Sequence, residues 1–186
     1  MAGVHVLGKP LSGLGLLVLL AFCAGYLIAG EPNTFPATSG YNLDGKKYDV
    51  PGDFQGTNNL VIVTFQREQQ KDADRWAAAA RQIESSNSDF RYYEIAAMER
   101  RNSVLRWWWD SFMRKAIREQ QTRDRTIIVY VNKHEFRDQL SIPDEKDVHV
   151  LLITHSGQIL WHVQGGLTEE KRNALTETLS SQHHPQ

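Results

Sequence analysis

A chain of 186 residues with 41% hydrophobic content can bury the core of one ordinary domain and carry a short extension. Its net charge of −1 removes any whole-molecule electrostatic case for nucleic-acid binding, so a basic surface has to be local. The single cysteine, Cys23, excludes a disulfide framework, a CxxC redox pair and a thiolate metal site.

Leu11 to Ala29, LSGLGLLVLLAFCAGYLIA, is uncharged and follows Lys9, and its 19 residues suffice to cross a bilayer as a helix. Its most apolar part, Leu14 to Phe22, also has the length of a signal-peptide core, although Leu27 and Ile28 stand where a cleavage site takes small residues. Residues 1–30 are therefore read as a membrane anchor, with a cleaved signal peptide as the alternative. Phe22 stands against lipidation of Cys23, because a small residue is expected there. Lys9, with no further Lys or Arg until Lys46, orients the N-terminus to the cytoplasm and the domain to the periplasmic or other extracytoplasmic side. If the segment is cleaved, the protein is secreted to the periplasm.

Residues 31–40, with two prolines and small polar side chains, read as a linker, residues 41–180 as the globular domain and 181–186 as a disordered tail. Tyr41 to Pro51 carries a DG turn signal and reads as a hairpin near a sheet edge. Leu60 to Phe65, LVIVTF, is a nearly continuous β-branched run, as in a strand covered on both faces. Asp72 to Ile83 has helical periodicity, with Trp76, Ala79, Ala80 and Ile83 on one stripe. Glu68, Asp72 and Asp74 cluster at its start, where carboxylates stabilise exposed amides without any chemistry. Phe90 to Ala96 is a second strand, Arg101 to Gln121 a second helix and Thr126 to Asn132 a third strand.

Val148 to Thr154 and Gln158 to Val163 flank a tight turn at Ser156 and Gly157. With Leu151 opposite His162, strict alternation puts Leu151, Ile153 and Leu160 on one face and Val150, Leu152, Ile159, Trp161 and Val163 on the other. Both faces are apolar, so helices are expected on both sides of the sheet, a three-layer α/β/α sandwich. Trp161 is read as core. A last helix runs from Thr168, a capping residue, to Leu179.

The order strand, helix, strand, helix, antiparallel hairpin, helix, preceded by a hairpin, resembles a thioredoxin fold of the redoxin type over residues 35 to 180. The resemblance rests on FPATSGYNLDGKKYDVPGDFQG, LVIVTF and ITHSGQILWHVQGGLTEEK. It implies that the family's two thiol positions fall at Gln70 and Ala73 and its cis-proline at His149. None of the three is the family residue, which implies a degenerate, redox-inactive scaffold. The second half, DRTIIVYVNKHEFRDQLSIPDEKDVHVLLITHSGQILWHVQG, is similar to the assembly-factor family of the mitochondrial ATP synthase. That resemblance implies a membrane-associated chaperone for a membrane subunit; the N-terminus lacks the arginines of a transit peptide, so a bacterial relative is expected.

Arg100 to Arg125 holds eight cations against three acids around three consecutive tryptophans. Adjacent helical residues are about 100° apart, so Trp107, Trp108 and Trp109 do not all point inward. Together with Arg106 and Arg114 they are the expected interface for a membrane protein or a membrane surface. His134, His149, His155 and His162 read as polar strand-end residues, although His149 and His162 are diagonal neighbours on one face of the hairpin. No metal, cofactor or nucleic acid is expected, and oligomeric state is not readable. The expected function is a non-catalytic, membrane-tethered, partner-binding chaperone. The alternative is an enzyme of non-thiol chemistry, which a cleft gathering His149, His162 and acids would favour.

Overall fold

In the computed structural model, residues 33–100 and 119–182 are described. The expected anchor at Leu11–Ala29, the Trp107–Trp109 interface with Arg106 and Arg114, and the end of the tail lie outside them. No helix among the described residues is long and apolar enough to cross a membrane.

Strands β1 (Thr38–Asn42) and β2 (Lys47–Val50) form the expected first hairpin, turning through Gly45 at φ 85°. Strand β3 (Asn58–Thr64) leads through a single 3-10 turn at Arg67–Gln69 into α1 (Gln70–Ser86). Strand β4 (Phe90–Glu99) runs three residues past the expected end, because its extension pairs with β5 up to Glu99↔Val131. Helix α2 (Gln120–Arg125), β5 (Thr126–Val131), α3 (Lys133–Gln139), β6 (His149–Thr154), β7 (Ile159–Gln164) and α4 (Glu169–Gln182) complete the order. Asn132, expected in the strand, instead caps α3: its side chain accepts from the amides of His134 and Glu135.

The seven described strands form one mixed sheet in the order β2-β1-β5-β4-β3-β6-β7. The neighbours β3, β4 and β5 are parallel, and β6 is antiparallel to β3. Leu60, Val61, Ile62 and Val63 are each 0% exposed, as the unbroken apolar run requires. One face of the sheet packs Leu60, Ile62, Tyr92 and Leu152 under α1 and α4. The other packs Val61, Ile95, Ile127 and Leu151 under Phe136 of α3 and under Phe35, Tyr48 and Phe54 from the chain before β3. The sheet is therefore covered on both sides, by helices on one and by a short helix plus the N-terminal hairpin region on the other.

The hairpin β6/β7 has the expected Leu151↔His162 register, but the pairing shifts between Leu152 and Ile153, so that Ile153 lies opposite Ile159. This bulge reverses two residues of the strict alternation. Ile159 joins the Leu151 face and Leu160 the Trp161 face, because an extra residue on one strand flips every side chain beyond it. Trp161 is half-buried, edge-on to the fully buried Trp76 at 6.1 Å. The Trp76 indole N–H donates to the Gly165 carbonyl at 3.0 Å and so fixes α1 against the end of β7.

Candidate functional site

The carboxyl ends of the parallel strands are where α/β sheets ordinarily take ligands, since loops and helix starts converge there. Here that position lies at the β3–α1 junction. Phe65, just past the strand, is 5% exposed, and the chain then turns through Arg67–Gln69. Gln70 occupies the first position of α1 and is exposed; its Nε2 donates to Asp74 Oδ1 at 2.9 Å. Ala73 is 0% exposed and sits in the same cluster as Val150 of β6 and Val148 just before it. The two positions thus divide into a surface amide and a core methyl, with no nucleophile at either.

The neighbouring Gln69 turns inward instead. Its Oε1 accepts from the amides of Phe65 at 2.7 Å and Gln66 at 3.1 Å, while its Nε2 donates to the Glu145 carbonyl at 2.8 Å. One buried amide therefore satisfies the backbone at the end of β3 and ties it to the loop before β6. Glu145 is held in turn by Lys133, Nζ to Oε2 at 2.5 Å, and by Arg137, Nε to Oε1 at 3.5 Å. Lys133 also lies 5.7 Å over the Phe65 ring. Gln69, Lys133 and Glu145 are not marked by any motif; the sequence signal was limited to a polar run after a buried strand.

His149 stands opposite this latch, 1% exposed, its ring edge-on to Phe65 at 6.5 Å. Its Nδ1 is 3.1 Å from Nε2 of His162 on the partner strand, so the diagonal pair expected from the sequence is in direct contact. Burial, and secondarily the neighbouring His162, push the His149 imidazole down to about 4, while burial alone lowers His162. The pair is neutral at neutral pH, one ring nitrogen donating and the other accepting.

A second titratable group lies on the α1 face of the sheet. Glu94, in the middle of β4, is 5% exposed and pushed up to about 7 by burial and by the nearby Asp74 carboxylate, against a hydrogen bond from Gln70. A charged residue inside the apolar run FRYYEIAAME was a visible signal for it. Glu68, Asp72 and Asp74 do lie around the start of α1, as expected, and Asp72 pairs with Arg75 at 3.4 Å.

Gln70, Ala73 and His149 are therefore brought to one end of the sheet, with Ala73 and His149 buried and Gln70 exposed. Two surface hollows of about 620 and 220 Å³ lie elsewhere, at the Glu84–Arg91–Arg125 end of α1 and between α1 and α4. Among the described residues no three metal-ligating side chains gather. The arrangement can hold backbone; it carries no CxxC pair, because Cys23 is the chain's one cysteine.

Residues 26–181 match the family model described as ATP10 protein. None of the curated proteins matches the chain. Among solved structures, a thiol:disulfide interchange protein from Bacteroides sp. is similar at 16% identity and TM-score 0.53, over 77% of this chain and 86% of that one. The exposed lipoprotein thioredoxin Etrx1 of Streptococcus pneumoniae is similar at 10% identity and TM-score 0.50, over 78% and 99%. BsSco, of the Sco family of cytochrome c oxidase assembly proteins, is similar at 9% identity and TM-score 0.52, over 82% and 95%. At these identities the likeness shows a thioredoxin-like fold.

Proposed function

The chain belongs to the ATP10 protein family, and from that premise we propose that it is a non-catalytic assembly factor for ATP synthase, holding a membrane subunit rather than transforming a substrate. The observation that carries the reading is the filled junction after β3. A family built to exchange disulfides needs two thiols at an open helix start; the resemblance puts those positions at Gln70 and Ala73, neither of them a thiol, and the Gln69–Glu145 latch holds the adjoining backbone. A scaffold retained without its reaction is suited to binding.

In this reading residues 11–29 tether the domain to the membrane, with the domain on its extracytoplasmic side, and Arg106, Trp107, Trp108, Trp109 and Arg114 form the contact with the partner or the membrane surface. Aromatic and arginine side chains are the usual energetic anchors of such contacts. Crosslinking in native membranes, followed by identification of the captured chains, tests the assignment: subunits of ATP synthase are expected. Recovery of none of them sinks it. Replacing Arg106 and Trp107 together by alanine should weaken capture by about tenfold or more while the domain still unfolds cooperatively. Wild-type capture by that variant would remove these residues from the interface.

A further inference from the structure

The geometry points to a metal site: we propose that His149 and His162 together supply two of the four ligands of a tetrahedral borderline cation of the Zn²⁺ class. The two facing nitrogens are 3.1 Å apart, with ring centroids 5.3 Å apart and planes inclined at 47°. Two imidazole nitrogens at ordinary bonding distance from a tetrahedral ion stand about 3.3–3.4 Å apart, so the pair has to open by only a few tenths of an ångström.

The backbone presets this separation. Pairing of His149 with Gln164 and of Leu151 with His162 fixes the histidines as diagonal neighbours on one face of the β6/β7 ribbon. The His149 ring is wedged edge-on against Phe65. His162, on the outermost strand of the described sheet, is half-buried and gives an ion access from solvent. Imidazole ligates through the lone pair of its neutral form.

The proton balance is simple. In the free pair one of the two facing nitrogens carries the shared proton. When the cation enters, that proton leaves the facing nitrogen and is taken up on the far nitrogen of the same ring, Nε2 of His149 or Nδ1 of His162. Both rings stay neutral, the ion receives two lone pairs and no proton is released. The remaining two positions go to water or to side chains of a bound protein, since no third His, Cys, Asp or Glu joins the pair among the described residues. The other described histidines are engaged elsewhere: His134 Nδ1 meets Asp138 at 2.8 Å and His155 Nδ1 the Phe54 carbonyl at 2.9 Å.

The test is titration of the metal-stripped full chain with Zn²⁺, and with Co²⁺ as a coloured substitute, at about pH 7.5. One ion per chain and a tetrahedral Co²⁺ spectrum are expected. Affinity should drop about tenfold or more in H162Q and in H149Q, and remain unchanged in H183Q/H184Q, which removes the two tail histidines. H162Q alters a half-buried strand residue, and circular dichroism verifies that it folds. Nitrogen NMR of the wild-type rings gives a readout free of mutation: the His149 and His162 signals should shift together on adding Zn²⁺. Retention of full affinity in H162Q, its loss in H183Q/H184Q, or His149 and His162 ring signals that stay still would overturn the site.

Discussion

Gln69 concentrates more hydrogen bonding in one side chain than its neighbours in the polar run. Replacing it by alanine strands two amide donors after β3 and the Glu145 carbonyl in the loop before β6, a loss of about 2–4 kcal/mol of stability, measurable by urea unfolding. Glu94 and His149 make opposite pH contributions. The Glu94 carboxyl ionises near 4.5 when unfolded and at about 7 when folded, so between those values the folded chain holds a proton that the unfolded chain has lost. Its contribution therefore falls as pH rises through that window and stays low above it. His149 goes from 6.5 unfolded to about 4 folded, so its contribution is complete above 6.5 and is lost as pH falls towards 4. Glu94→Gln should raise the unfolding free energy by up to about 3 kcal/mol at alkaline pH and leave it unchanged below the unfolded-state pKa. Thermal unfolding across pH then has a second expectation: with Glu94 neutralised, the acid-side loss due to His149 stands out. At this scale the sequence was partly legible. The alternation of β7 against β6 placed the two histidines together, but nitrogen-to-nitrogen contact depends on ring rotation, and which of two adjacent glutamines turns inward depends on the 3-10 turn before α1.

Among the elements, the hairpin β1/β2 depends on close backbone approach. A Cβ on Gly40 would collide with the Ile128 carbonyl and with the side chains of Ile127 and Val129, so β1 pairs with β5 at this point only because the residue has no side chain. Gly40→Val should destabilise the domain by more than about 2 kcal/mol and selectively strip hydrogen-exchange protection from β1 and β2, while β3 and β4 keep theirs. Loss of protection throughout would mean that the hairpin folds as one unit with the rest. Strand positions were readable because β-branched runs and turn residues bracket them: LVIVTF and TIIVYV lie where expected. The bulge at Leu160 was not, because Ile159 and Leu160 are both apolar and suit either face, so composition offers no mark of the slip. The cap of α3 by Asn132 was likewise open to two readings, a strand end or a helix start.

Across the whole molecule, the layers follow from strands apolar on both faces, and one cluster on each side of the sheet answers that pattern. The sheet's coverings differ: two long helices on the Trp76 side, and on the other side α3 with aromatic residues from the chain that precedes β3. The first described residues belong to that second covering. Asn33 accepts from the Ile159 amide at 2.7 Å, and the Phe35 amide donates to Gly157 at 2.8 Å, while the Phe35 ring sits 5.9 Å from Phe136 inside the core. A mechanical pull on the chain at residue 33 would part the two backbone bonds one after the other and then meet the Phe35 ring, held like a peg behind the β6/β7 turn. Tension arriving at residue 33 is thus met first by two backbone bonds and then by a buried aromatic ring, only a few residues before β1 and its ladder begin.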